Sequence, residues 1–180
     1  MDILAHSLWA AIGIGIARRS VAISRRDAAL TVALAAAPDL LQLVPLIGWG
    51  AFGNGDWSML SAYSLASPDT EPLLPAPVAL VAHHLHCATH SAVVALAFTV
   101  VIALGTRRFW LPLAGWWSHI VIDVFTHSAD FYPSPVLYPL TMRGFDGVGW
   151  NEPWFMALNY AALSACAIWL VASARRQRRR

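Results

Sequence analysis

The chain has 180 residues, 58% of them hydrophobic and 12% charged, and a net charge of +2 from twelve arginines and ten acids, with no lysine. Ordinary soluble domains carry about 25% charged residues. With a mean hydropathy of +0.55, the composition excludes such a domain and predicts a single all-α bundle embedded in a membrane.

Five apolar segments follow in chain order. They are ILAHSLWAAIGIGIA (3–17), then about 28–49 with AAAPDLLQLVPLIGW, about 76–105, about 109–131, and WFMALNYAALSACAIWLVASA (154–174). Crossing roughly 30 Å of hydrocarbon takes about 20 helical residues. Segments two to five are therefore predicted to span, and the first to tilt or lie partly in the interface. The start lacks the basic stretch and cleavage site of a signal peptide, so the first segment is expected to stay in the protein. Cys87 and Cys166 both lie in apolar runs and make neither a disulfide framework nor a Cys-x-x-Cys motif.

The arginines set the expected topology. They cluster at Arg18, Arg19, Arg25 and Arg26, at Arg107 and Arg108, and at Arg175, Arg176, Arg178, Arg179 and Arg180; only Arg143 stands alone. If all five segments span, the three clusters share one side, which the positive-inside rule makes cytoplasmic. Asp56, Asp69, Glu71, Asp130, Asp146 and Glu152, with the Gly-Asn-Gly and Pro-rich turns, fall on the other side. The N-terminus is predicted outside and the C-terminus inside. Residues 1–174 form the membrane domain and 175–180 a basic tail that meets anionic lipid rather than nucleic acid.

Ionisable groups inside a bilayer are expensive and usually face a cavity. Here they are many: His6, Asp39, His83, His84, His86, His90, His119, Asp123 and His127. At helical rise Asp39 lies about 20 Å beyond Arg26, and His86, His90, His119, Asp123 and His127 lie about 16–30 Å from Arg107 and Arg108, all in the outer half. At about 100° per residue, His83, His86 and His90 share one face while His84 points away. His119, Asp123, Thr126 and Asp130 share another, with His127 slightly farther round. Imidazole plus carboxylate without thiolate pairs suits zinc, manganese or iron. A divalent cation would also neutralise Asp39 and Asp123, since no arginine lies at their depth.

The motifs AHS, APDL, ATHS and SHIVIDVFTHSADFYPSPVLYPL, in that order, resemble the YdjM-like membrane-bound, metal-dependent hydrolases of bacteria over about residues 2–155. That family is grouped with zinc-dependent phospholipase C and single-strand nucleases. The resemblance implies a helical bundle with zinc, one ion or more, held by His6, Asp39, His90, His119 and Asp123. Thr89, Thr126 and His127 would stand beside those ligands, and GVGWNEPW would be a loop closing over the site. Asp130, on the same helical face as His119 and Asp123, is expected to support them as well. The sequence departs from the family where Leu40 and Leu41 follow Asp39, and in lacking an arginine before Thr-His-Ser.

The expected activity is hydrolysis of a lipid ester or phosphoester at the outer face of the inner membrane. His86 or His127 would be the acid–base group; no residue is assigned to the substrate. The alternatives are a transporter for metal ions or small solutes, a haem protein with axial histidines, and a metal-dependent scaffold without turnover. The inner halves VVALAFTVVIALG and FWLPLAGWW carry nothing titratable, which counts against a transit path.

Overall fold

A computed structural model describes residues 1–53, 55, 57–66, 68 and 70–178. Asn54, Asp56 and Asp69 of the predicted outer loops, and Arg179 and Arg180 of the tail, lie outside the described residues. The helices are α1 (Ile3–Ala17), α2 (Arg25–Phe52), α3 (Trp57–Leu65), α4 (Ala76–Thr89), α5 (Ala92–Thr106), α6 (Leu113–Thr126) and α7 (Pro153–Arg178). Among the described residues the only β feature is an isolated bridge between Ser128 and Phe131.

Among the described residues two helices, α2 and α7, are long and apolar enough to cross a membrane. Helices α4 and α5 together would make a third, broken span, bent by 65°. The segment read as continuous over 76–105 is thus two helices. The segment drawn over 109–131 is α-helical only over its 14 residues from Leu113 to Thr126, and α1 has 15. At 1.5 Å per residue each covers about 21–23 Å, short of a crossing. Helix α3, within the 50–75 loop, was not predicted.

Local chemistry explains these boundaries. Ser24 caps α2 by accepting from the Asp27 N–H, and Asp27 sits in the favourable first turn. Ser91 does the same for α5, accepting from the Val94 N–H at 3.2 Å, so the chain restarts just past His90. The notch between α4 and α5 is filled by the 134–138 segment. There the Ala92 N–H donates to the Val136 carbonyl at 2.8 Å and the Ser91 hydroxyl donates to the Tyr138 carbonyl. Buried backbone groups at the break are therefore paired, as an apolar setting requires.

Helix α2 is the centre, packed against α1, α3, α4 and α6. Gly115 of α6 lets the α2 backbone come close. A Cβ there would overlap the Thr31 carbonyl oxygen and lie 3.0 Å from the Ala35 nitrogen. Helix α7 packs on α1 through Met1, Ala5, Ile12 and Leu163, with Trp9 donating to Asn159 at 2.9 Å and Tyr160 to Asp2 at 2.8 Å. The Arg19 guanidinium sits 4.6 Å over Trp169 and donates to Ser173. The α1–α2 turn and the arginine-rich end of α7 therefore share one end of the bundle. Large apolar side chains stand in the open on α5 and α7, including Val101 (69% exposed), Leu104 (76%) and Ile168 (69%). So much uncovered apolar surface suits lipid rather than water.

The 147–150 segment closes the end of α6. Gly147, Val148 and Trp150 donate backbone N–H bonds of 2.9–3.1 Å to the carbonyls of His127, Phe125 and Thr126. A Cβ on Gly147 would overlap the Phe125 carbonyl oxygen and lie 2.8 Å from that of His127. Gly147→Ala is expected to lower stability by about 1–3 kcal/mol, as overpacking does. A thermal unfolding midpoint should register it, whereas Gly13→Ala, with open space around the position inside α1, should raise the midpoint slightly, since glycine within a helix costs about 0.5–1 kcal/mol relative to alanine.

Candidate metal centre

Four helices bring their polar residues to one buried point: His6 from α1, Asp39 from α2, His90 at the end of α4, and His119 and Asp123 from α6. Each has a local reason to be there. Pro38 has no N–H and loosens the turn before it, and in that turn the Ala35 carbonyl accepts from His119 Nδ1 at 2.8 Å. Asp39 follows directly. His90 lies at the break after α4, where its Nδ1 donates to the His86 carbonyl at 2.8 Å. His119 and Asp123 are one turn apart on the face of α6 that meets α2, and both are fully buried.

These hydrogen bonds fix the chemistry. A carbonyl only accepts, so Nδ1 of His90 and of His119 carries a proton, which leaves Nε2 as the ligand atom of each neutral ring. The two Nε2 atoms face each other at 3.0 Å. Asp123 Oδ2 lies 3.1 Å from the His119 nitrogen and 3.4 Å from that of His90. Asp39 Oδ1 lies 3.4 Å from His90 Nε2 and 3.8 Å from His119 Nε2. One ligand atom from each of Asp39, His90, His119 and Asp123 falls within a 4.8 Å group, and all four residues are buried.

Converging lone pairs and carboxylates repel unless a cation lies among them. The buried oxygens Asp39 Oδ2 and Asp123 Oδ2, and both ring nitrogens of His6, have no hydrogen-bond partner among the described residues. Zinc bonds of about 2.0–2.2 Å in a tetrahedron place neighbouring donors about 3.4 Å apart. The pairs at 3.0–3.8 Å match that spacing. The donor set therefore fits a small divalent cation, and this buried cluster can hold a metal ion.

The other predicted residues fall as follows. His6 is fully buried, its ring stacked on His119 at 3.8 Å and its Nε2 2.9 Å from Asp123 Oδ1, beside the four-residue group. His127 ends α6 with Nε2 3.5 Å from Asp123 Oδ1 and Nδ1 donating to the Tyr132 carbonyl at 2.7 Å. The His86 ring lies 4.1 Å from that of His90, and its buried Nδ1 has no partner among the described residues. Thr126 Oγ1 faces Asp123 Oδ1 at 3.5 Å. Thr89 bonds chiefly to the α4 carbonyls of Leu85 and His86, with His90 Nδ1 at 3.3 Å.

Asp130 requires a correction. Helical period placed it on the ligand face, but α6 ends at Thr126 and Asp130 is exposed beyond it. His83 and His84 are exposed on α4, contacting Cys87 and Tyr138 respectively. The backbone nitrogen of Met1 also pairs with Asp123 and lies 3.1 Å from His127 Nε2.

Fold and site together define an all-helical bundle with two or three candidate membrane-crossing helices and a buried His/Asp cluster suited to a metal ion. Comparison with protein-family models, curated proteins and solved structures gives no match.

Proposed function

We propose that this protein is a membrane-embedded, zinc-dependent hydrolase acting on a lipid ester or phosphoester. Asp39, His90, His119 and Asp123 would hold the ion, with His6 beside them as a further ligand. The observation that carries the reading is the convergence of two tautomer-fixed imidazole nitrogens and two carboxylates in one buried point. A zinc ion there would lower the pKa of a bound water to about 7 and polarise the scissile ester oxygen. His127 presents Nε2 to the same space, since its Nδ1 is committed to the Tyr132 carbonyl, and can take a proton from the attacking water and return it to the leaving oxygen. His86, whose ring lies 4.1 Å from that of His90, is the other candidate for that transfer.

In this reading the chain lies in a bacterial inner membrane with five membrane segments, the short α1 and α6 included, N-terminus out and C-terminus in. The centre then sits at the depth of outer-leaflet headgroups, which supports a lipid as substrate. The haem alternative needs a porphyrin between two imidazoles. His90 and His119 nitrogens 3.0 Å apart, flanked by two carboxylates, leave no slot for one.

The test is purified full chain incubated with phospholipids and phosphodiesters, with and without zinc. Product release that needs zinc and is lost in His90→Ala is the expected result; a panel without turnover in zinc-loaded protein would refute hydrolysis of these esters. Protons compete for the same Nε2 lone pairs, so zinc occupancy is expected to fall steadily as the pH is lowered from about 7.5 to 5. Metal analysis after dialysis at each pH reads it, and occupancy independent of pH would count against imidazole ligands.

A further inference from the structure

The backbone of Tyr132 is unusual for so bulky a residue. Its φ is +48°, in the left-handed region that favours glycine. That conformation turns its carbonyl back onto His127, five residues earlier, where it accepts from Nδ1 at 2.7 Å. At the other end of the same residue, the phenol hydroxyl donates to Glu71 Oε1 at 2.6 Å, with the Ala66 carbonyl at 3.4 Å. Neither residue has a part in the chemistry proposed above: Glu71 lies in the connection between α3 and α4, and Tyr132 follows the end of α6.

A single tie to the ring would leave the strained backbone free to relax. The turn is instead held from several sides. The Ala129 N–H donates to Asp146 Oδ1 at 2.8 Å, the Phe131 N–H donates to the Ser128 carbonyl, and the Phe131 ring meets Trp150 edge-on at 5.6 Å. The phenol–carboxylate bond acts on Tyr132 itself. A bond from a neutral hydroxyl to an ionised carboxylate is among the stronger ones available.

We propose that Glu71 and Tyr132 form a positioning pair, in which the Glu71 carboxylate holds Tyr132 in its left-handed conformation so that the Tyr132 carbonyl keeps His127 as the Nδ1–H tautomer with Nε2 bare toward Asp123. This rests on the hydrolase reading only for why the tautomer matters, because a proton acceptor needs that bare Nε2. The pair acts through His127 and touches none of the Asp39, His90, His119 and Asp123 ligand atoms.

The experiment is nitrogen NMR of the full chain, labelled with ¹⁵N-histidine and held in detergent micelles, with the His127 signals assigned by their absence in His127→Gln. The wild-type protein is expected to show two widely separated His127 nitrogens, one protonated and one bare, as a fixed tautomer does. Glu71→Ala and Tyr132→Phe should collapse that separation towards the average of two exchanging tautomers. Glu71→Gln, whose amide oxygen still accepts from the phenol, should restore it, and Tyr138→Phe, which removes the other tyrosine hydroxyl of this region, should leave it intact. A fixed tautomer persisting in both Glu71→Ala and Tyr132→Phe would overturn the proposal, as would an exchanging His127 in the wild type or equal collapse in Tyr138→Phe. If Tyr132→Phe does not fold, the contrast between Glu71→Ala and Glu71→Gln decides alone. The readout is independent of turnover, so a fixed His127 in a chain that hydrolyses nothing would sink the hydrolase reading and leave the positioning pair standing.

Discussion

Replacing Gly115 with alanine should empty the metal centre while every ligand is still present. The added methyl would overlap the Thr31 carbonyl oxygen of α2, with the Thr31 carbonyl carbon at 2.8 Å and the Ala35 nitrogen at 3.0 Å. Those obstacles are backbone, so no side-chain rotation relieves them, and α2 and α6 must move apart. Helix α2 carries Asp39 and the Ala35 carbonyl that orients His119; α6 carries His119, one turn from Gly115, and Asp123. Metal–ligand distances tolerate only about 0.2 Å, far less than a methyl group needs. We expect at least about a tenfold loss of metal affinity, comparable to losing an orienting partner, and a stability loss of about 3 kcal/mol, at the upper end for overpacking. Metal per chain and the unfolding midpoint measure the two effects. Gly105→Ala has open space around it and serves as the control. A Gly115→Ala protein that keeps its metal would mean that α2 and α6 do not meet as described.

Asp123→Asn and His119→Ala should both abolish metal binding, yet differ in what they do to the fold. Asparagine keeps the volume of Asp123 and can still meet Thr126, but it removes an anionic donor from a site whose remaining members are mostly neutral imidazoles. Affinity is expected to fall at least about 100-fold, beyond the loss typical of an orienting partner, in a protein that stays folded. His119→Ala removes a ligand too, and it also strands the Ala35 carbonyl in the core and unstacks His6. An unsatisfied buried carbonyl costs about 1–3 kcal/mol, so this variant should lose stability even after chelator treatment. Elemental analysis and denaturation of chelator-treated protein separate the cases. Wild-type protein that purifies without transition metal and takes up none on dialysis against zinc would remove the basis of the proposed function.

A carboxylate or imidazole in a long apolar run is conspicuous, so Asp39, His90, His119 and Asp123 stood out among the ionisable residues of similar depth. Helical phase did not separate His90 from His83 and His86; the motif resemblance singled out these four together with His6. The break after His90 was missed because no glycine or proline interrupts residues 78–104, although Ser91 before Ala-Val-Val is an ordinary helix-capping signal. The error at Asp130 came from extending a 3.6-residue period past Thr126 into Ser-Ala-Asp-Phe-Tyr-Pro, where turn residues end the helix. Some contacts have no side-chain signature at all. The carbonyls of Ala35 and Tyr132 fix histidine tautomers, and the backbone nitrogen of Met1 meets Asp123. Backbone groups acquire such roles only once tertiary structure brings them into reach.

Because α2 is both the hub of the bundle and the bearer of Asp39, the order of synthesis matters. If α2 crosses a bilayer, a chain made from its N-terminus delivers Asp39 there when His90 and His119 do not yet exist. An aspartate at the middle of an inserting helix costs about 2.5–3.5 kcal/mol, which the alanine, leucine and valine around it must outweigh unaided. The nascent protein would then carry an orphan acid until α4 and α6 arrive and bring the His90 and His119 nitrogens to 3.4 and 3.8 Å from Asp39 Oδ1.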